Sequence, residues 1–318
     1  MAMMHGSFAR LLLALVAVSV AAGGCAAPEA SRRAAWEQLL ANREESAARR
    51  WFLEVLRANG VDEGFQEAMS RPPIGKRDWE VETLRTIPGS NGLVYVQLRP
   101  DPEYIPGAQA ELEHWAGPER FWFFFDRSGQ LLAWSNNLSG TWLVADVTGD
   151  GTKDLLVSTG PPKGLEGRQE TLGRAYYTLF GTSAARPSRT PFGFSGQEGL
   201  TYTFTLIHLC DSSVPLVMTY EGKDPLEDDA NEPAEWTYTV IRSFKGGEPK
   251  VILVARDHLE LRTGPAGSVL LQAANVWPGD DRDCQVRYDV LKRRFSVEWL
   301  KEGEEGWNPV FFSTTVPR

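Results

Sequence analysis

Histidine and cysteine, the side chains most used for metal chemistry and nucleophilic catalysis, are scarce here: four and three respectively in 318 residues. His114, His208 and His258 lie far apart with no metal-type spacing, which excludes a compact histidine site of the HExxH kind. His208 shares strand parity with Phe204 and Leu206, so it reads as a core imidazole and not as a base. No Walker A loop and no dinucleotide fingerprint occurs. Ser195 sits in Gly-Phe-Ser-Gly, which lacks the spacing of a nucleophile elbow. No catalytic residue is assigned. Basic residues are also outnumbered, 33 Lys and Arg against 42 Asp and Glu, for a net charge of −9. An acidic surface repels phosphate backbones, so no nucleic-acid partner is expected. Beyond residue 22 no run is apolar enough to serve as a second membrane anchor.

What is present begins at the amino terminus. Arg10 and the terminal amine form a short positive region, followed by Leu11–Ala22, apolar except for Ser19. That length suits a signal-peptide core and falls short of the roughly 20 residues that span a bilayer. Small residues then lead to a cysteine, Ala22-Gly23-Gly24-Cys25. The pattern resembles the lipobox of bacterial lipoproteins. The resemblance implies cleavage after residue 24, lipidation of Cys25, and a mature protein held to a membrane of the cell envelope. The competing reading is an ordinary secretory signal in which Cys25 is incidental. Loss of residues 1–24 removes Arg10 and no acid, and takes the net charge from −9 to −10.

Residues 25–30 read as a tether and 31–73 as a helical segment. Within the latter, Trp36, Leu39, Leu40, Ala47, Trp51, Phe52, Val55 and Leu56 recur at three- and four-residue intervals. This is the stripe of one amphipathic helix or of two in series, with Asn42 and Glu45 as a candidate break. Asn59-Gly60 is a stop signal, and Asp62 caps a shorter predicted helix to Ser70, ended by Arg71-Pro72-Pro73. Two tryptophans and a phenylalanine on one stripe favour packing against the body over a free stalk or partner-binding helix.

From residue 74 to 318 turn residues punctuate the chain every 8–12 residues, with β-branched and aromatic runs between them. Trp79–Ile87, Leu93–Leu98, Trp142–Ala145, Leu155–Ser158, Thr201–Leu209, Cys284–Val290 and Arg294–Leu300 are among the predicted strands. Phe121–Phe125 (FWFFF) has no polar alternation, which predicts cover on both faces. Asp126–Gly129 and Lys245–Gly247 read as hairpin tips. The fold class is mainly β: an N-terminal helix pair followed by an antiparallel β body, either a degenerate propeller-like fold or stacked sheets. Cys210 and Cys284 fall on the apolar parity of two of these strands, and export would permit a disulfide between them. Two unpaired core thiols would give the same pattern.

One stretch carries chemistry. In Trp-Leu-Val-Ala-Asp146-Val-Thr148-Gly-Asp150-Gly-Thr152-Lys-Asp154-Leu-Leu-Val, carboxylates stand at positions 1, 5 and 9 of a nine-residue loop. Thr148 adds a hydroxyl, Gly151 permits a tight turn, and Thr152 can offer its carbonyl. Calcium takes six to eight oxygens, and this spacing wraps them around one centre. Three carboxylates so close would otherwise repel one another. Counting from Asp146, position 12 is Val157 and not Glu, and a β run follows where an EF-hand has a helix. A strand, an acidic loop and a second strand resemble the calcium loop of FG-GAP (VCBS-type) repeats, found in integrin α-subunit propellers and bacterial exported proteins. Val144-Ala145-Asp146 on entry, Asp154-Leu155-Leu156-Val157 on exit and Gly160-Pro161 at the close carry the likeness, over residues 130–180. It implies a propeller blade with a structural calcium. The competing reading is an Asx-rich turn without metal.

Other features are weaker. Glu221–Glu235 holds seven acids and one Lys in irregular, proline-broken spacing, which is a solvated loop before it is a second cation site. Trp115, Trp122, Trp134 and Trp142 could stack on sugar rings, though core packing is the simpler role. Two functional expectations follow. The first is a calcium-stabilised binding or scaffold domain on an envelope lipoprotein, with an envelope protein or glycan as partner. The second is an envelope hydrolase acting on glycans through an Asp/Glu pair.

Overall fold

The computed structural model describes residues 29–42, 45–61, 79–100, 120–136, 140–159, 175–184, 187–195, 204–222, 237–255, 259–263, 268–273, 284–299 and 311–318. The predicted leader, Cys25, most of the predicted tether and the predicted Asp62–Ser70 helix lie outside them. The described chain is mainly β with two N-terminal helices, as the pattern predicts. Its strands form separate antiparallel sheets, none closed into a barrel among the described residues.

Two compact units are present. Unit 1 comprises residues 1–86 and 93–134, and unit 2 comprises 87–92 and 135–318. The helical segment therefore belongs with the first sheet.

In unit 1, helix α1 spans residues 29–41, starting inside the expected tether. Helix α2 spans Glu45–Ala58. Asn42 is non-helical, so the stripe is two helices in series. Gly60 at φ 67° takes the left-handed position that ends α2, and the Val61 N–H reaches the Leu56 carbonyl at 3.1 Å. Strands β1 (Trp79–Thr86), β2 (Val94–Pro100), β3 (Phe121–Phe125) and β4 (Leu131–Asn136) follow in spatial order. Trp36, Leu39, Phe52, Val55 and Leu56 bury against Val94, Val96, Leu98, Phe123 and Phe125. The packed reading of the helices is the one observed. Truncating Phe52 or Trp36 would cost about 3–5 kcal/mol.

Trp122 to Phe125 are all buried, so β3 is covered on both faces as its unbroken aromatic run predicts. Its connection to β4 is the predicted hairpin: Asp126 Oδ1 accepts the Ser128 and Gln130 N–H groups at 2.8 and 2.9 Å. A Cβ on Gly129 would lie 2.6 Å from the Trp36 ring, so helix and hairpin fit only without one. Asn59 then ties α2 to this hairpin, donating to the Gly129 carbonyl and accepting from the Leu131 N–H, both at 2.9 Å.

Unit 2 carries three sheets. The first is β5 (Thr141–Ala145), β6 (Asp154–Thr159), β7 (Ala175–Gly181) and β8 (Ser188–Ser195) in order. The second contains β9 (Thr205–Ile207), β10 (Leu216–Gly222), β11 (Thr237–Ser243) and β12 (Lys250–Ala255). The third is β13 (Leu259–Thr263), β14 (Val269–Ala273), β15 (Cys284–Asp289) and β16 (Arg294–Trp299). The last strand, β17 (Phe311–Ser313), returns to the second sheet and pairs with β12. Each sheet is otherwise a consecutive meander.

The sheets pack face to face. Val147, Leu156 and Leu179 of the first meet Val217 and Phe244 of the second. Ile207, Met218, Ile241 and Leu253 of the second meet Leu259, Leu271, Val286 and Phe295 of the third.

Candidate metal centre

The acidic loop joins β5 to β6, and the pairing of Ala145 with Asp154 closes its base. Val147 is fully buried in the core between the first two sheets of unit 2, which pins the loop from within. Gly149 and Gly151 take φ +78° and +85°, conformations an L side chain rarely adopts. Outside contacts fix the rest. The Thr148 carbonyl accepts the Gly246 N–H at 3.1 Å, and Gly246–Gly247 is the predicted hairpin tip between β11 and β12. The Lys153 N–H reaches the Gly89 carbonyl at 2.8 Å, and the Lys153 carbonyl accepts the Thr182 hydroxyl at 2.6 Å.

Each predicted ligand has a defined place. Asp146 accepts the N–H of Gly149 on Oδ1 at 2.7 Å and of Gly151 on Oδ2 at 2.9 Å. Asp150 accepts the Thr152 N–H at 2.8 Å. Asp154 Oδ2 accepts the Val147 N–H at 3.2 Å, the Thr148 N–H at 3.1 Å and the Thr148 hydroxyl at 3.0 Å. The loop thus collects all five residues into one turn but directs its carboxylates at its own backbone amides. Among the described residues no three His, Cys, Asp or Glu side chains are grouped to share a metal ion.

Asp154 stands apart. Its side chain is 0% exposed, and Oδ1 is buried without a hydrogen-bond partner. Burial pushes its carboxyl above the ordinary aspartate value, against the hydrogen bonds from Thr148 and Val147 and with a small push from Asp150. A buried, half-satisfied carboxylate is among the costlier arrangements a protein can hold.

A second polar feature, absent from the sequence reading, lies between β8 and β11. A groove of about 440 Å³ is lined by Tyr176, Pro191, Phe192, Arg242, Pro249 and Val251. The Arg242 guanidinium lies 5.6 Å from the Phe192 ring centre and is held on two sides by the carboxylate of Glu221. The Thr219 hydroxyl donates to the same carboxylate at 2.9 Å. Glu221, the first acid of the predicted solvated loop, is thus committed to an internal ion pair.

Two expectations are corrected. β9 ends at Ile207, so strand parity does not extend to His208 or Cys210. His208 is exposed rather than in the core, while Leu209 is buried. Cys210 is exposed with a free thiol in the following turn, rather than on the apolar face of a strand. Of the aromatic candidates, Trp122 is core, Trp134 is 36% exposed with its ring stacked on Phe123, and Trp142 is half-buried. Trp115, His114 and His258 lie outside the described residues. No described helix is long and apolar enough to cross a membrane. Compared with models of known families and with curated proteins, the chain matches none.

Proposed function

We propose that this chain is an exported lipoprotein, tethered through a lipid on Cys25, whose β-rich body is a binding or scaffold domain stabilised by calcium in the loop Asp146–Asp154. The observation that carries the calcium reading is Asp154, a fully buried carboxylate with one oxygen unpartnered at the base of an acidic loop. A hard cation satisfies such an oxygen and removes the like-charge repulsion around it. The residues that would hold it are Asp146, Asp150 and Asp154, with the Thr148 hydroxyl and the Thr152 carbonyl. Small rotations of Asp146 and Asp150 would exchange backbone amides for the ion. The role is structural: calcium locks the β5–β6 connection against Gly246 and Val214 beside it. The body would then present its surface to an envelope protein or glycan, held at a membrane by the lipid.

Extracellular-type sites bind calcium at roughly 10⁻⁴–10⁻³ M. At ten times the dissociation constant the stabilisation is about 1.4 kcal/mol. Thermal melts in millimolar calcium should therefore lie above melts in chelator, and Asp150→Ala should erase the difference. Identical wild-type melts under both conditions would reduce the loop to a turn. Mass spectrometry of the mature amino terminus tests the tether, and a free terminus downstream of Cys25 would sink it. For the glycan hydrolase, Glu221 beside the aromatic groove is locked by Arg242 and gives that reading no support.

A further inference from the structure

Lys153 stands between two residues of the acidic loop, Thr152 and Asp154, yet both of its backbone groups are bonded outside that loop. Its N–H donates to the Gly89 carbonyl at 2.8 Å, and its carbonyl accepts the Thr182 hydroxyl at 2.6 Å. The same Thr182 oxygen accepts the Asn91 N–H at 3.4 Å. Gly89 and Asn91 belong to residues 87–92, the turn between β1 and β2 that is part of unit 2. Inside this turn Ser90 donates to the Ile87 carbonyl twice, from its N–H at 3.3 Å and from its hydroxyl at 2.8 Å. The Lys153 side chain runs beside Gly89, where an added Cβ would lie 3.4 Å from its Cε. The turn is thus held through a residue flanked on both sides by proposed ligands.

The Thr152 carbonyl and the Lys153 N–H are the two ends of one peptide group. That group is planar and trans, so its carbonyl points away from Gly89 while its N–H points at it. A carbonyl that gives up electron density to a cation leaves the N–H across the same group a stronger donor, the polarisation that strengthens hydrogen bonds in chains. On its other side the Lys153 carbonyl is joined directly to Asp154, whose side chain is 0% exposed with Oδ1 unpartnered. A buried oxygen in that state gains most from a cation.

We infer that cation binding in the loop and docking of the 87–92 turn are coupled, with the Thr152–Lys153 peptide group and Thr182 carrying the coupling. This rests on the calcium reading of the loop. The turn is the two-state element: docked on Lys153 and Thr182, or open. Opening it loosens the peptide group that offers the Thr152 carbonyl. At ten times the dissociation constant the open population therefore falls about tenfold. Coupling is reciprocal, so a docked turn raises the calcium affinity of the loop by the same factor. External calcium near roughly 10⁻⁴–10⁻³ M then sets whether the turn is fastened.

The test is amide hydrogen exchange on the full chain, in chelator and in calcium at ten times the measured dissociation constant, beside thermal melts in the same solutions. The Lys153 and Asn91 amides should exchange about tenfold more slowly with calcium. The Leu131 and Val316 amides, bonded to Asn59 and Arg293, should not change. Thr182→Val removes a hydroxyl and none of the five proposed ligands. It should lose the response at Asn91 and move the calcium midpoint several-fold higher, and Thr182→Ser should restore both. Equal exchange at Lys153 and Asn91 in the two solutions, with a melt that still shifts, overturns the coupling and leaves the calcium reading standing. Equal slowing at all four amides overturns it too, since that is general stabilisation, and so does a Thr182→Val midpoint equal to that of wild type. Melts and exchange that both ignore calcium sink the calcium reading and this inference with it.

Discussion

The hydroxyl of Tyr177 on β7 donates to the backbone carbonyl of Tyr220 on β10 at 2.7 Å, inside the core between two sheets of unit 2. Tyr220 repeats the arrangement one sheet further on, donating to the Leu259 carbonyl on β13 at 2.8 Å. Two buried phenols therefore bridge three sheets in series. Tyr177→Phe should lower the unfolding free energy by about 1 kcal/mol, and Tyr177→Ala by about 3–5 kcal/mol. Urea melts of the single variants and of Tyr177→Phe with Tyr220→Phe would show whether the bridges act together. Unchanged midpoints would mean that packing alone holds the sheets.

Tyr288 should make the protein sensitive to alkali. Burial first, then the Asp211 carboxylate that its hydroxyl faces at 3.1 Å, pushes its ionisation up to about 12. Folding thus favours the neutral phenol. That contribution is complete below about pH 10, the ordinary tyrosine value, and is lost as the pH climbs toward 12. Unfolding free energies measured across this window should fall less steeply for Tyr288→Phe than for wild type. Parallel curves would remove Tyr288 from the account.

The two loop glycines should respond differently to a methyl group. At both, the left-handed backbone alone penalises alanine by about 1 kcal/mol or more. At Gly149 the new Cβ would also lie 2.6 Å from Val214 Cγ2, whereas at Gly151 it would meet nothing within 4 Å. Gly149→Ala should therefore be the more destabilising by about 1–3 kcal/mol, the range of overpacking penalties. Equal losses in thermal melts would show that the loop shifts away from Val214.

Cys210 should react readily. It is exposed in the turn after β9, so native protein should take up a maleimide at Cys210 without denaturant. Peptide mapping locates the adduct. No uptake until a reductant is added would show that Cys210 is held in a bridge.

Much of the β body was legible because its inner strands bury alternating apolar positions, as in Val286 and Tyr288 of β15. The strands that escaped notice are edges. β8 carries Pro191 and Gly193, which a central strand could not accommodate but an edge can. β13 (LELRT) and β17 are short and lie at the margins of their sheets, where half the backbone needs no partner strand. Parity failed at Cys210 because the pleat stops at Ile207, and no residue between them announces the change. The acidic loop was legible as a cluster, since its spacing is local. The orphaned oxygen of Asp154 was not, because it depends on which neighbour each carboxylate faces. The tyrosine bridges and the Arg242–Glu221 pair were invisible for the same reason, being agreements between residues far apart in the chain.

The return of β17 to β12 gives the chain a timetable. β12 ends at Ala255, yet its partner at Phe311–Ser313 is made only after the whole β13–β16 meander between them. A chain that emerges amino terminus first must carry β12 with an open edge until β17 appears. Tail contacts at Arg293 and the Thr314 N–H to the Ile252 carbonyl at 2.7 Å then fasten together. Until β17 is in place, the β12 edge offers its unpaired amides and carbonyls to any passing strand. The β13–β16 meander is thus the interval over which this sheet is open to mispairing during synthesis.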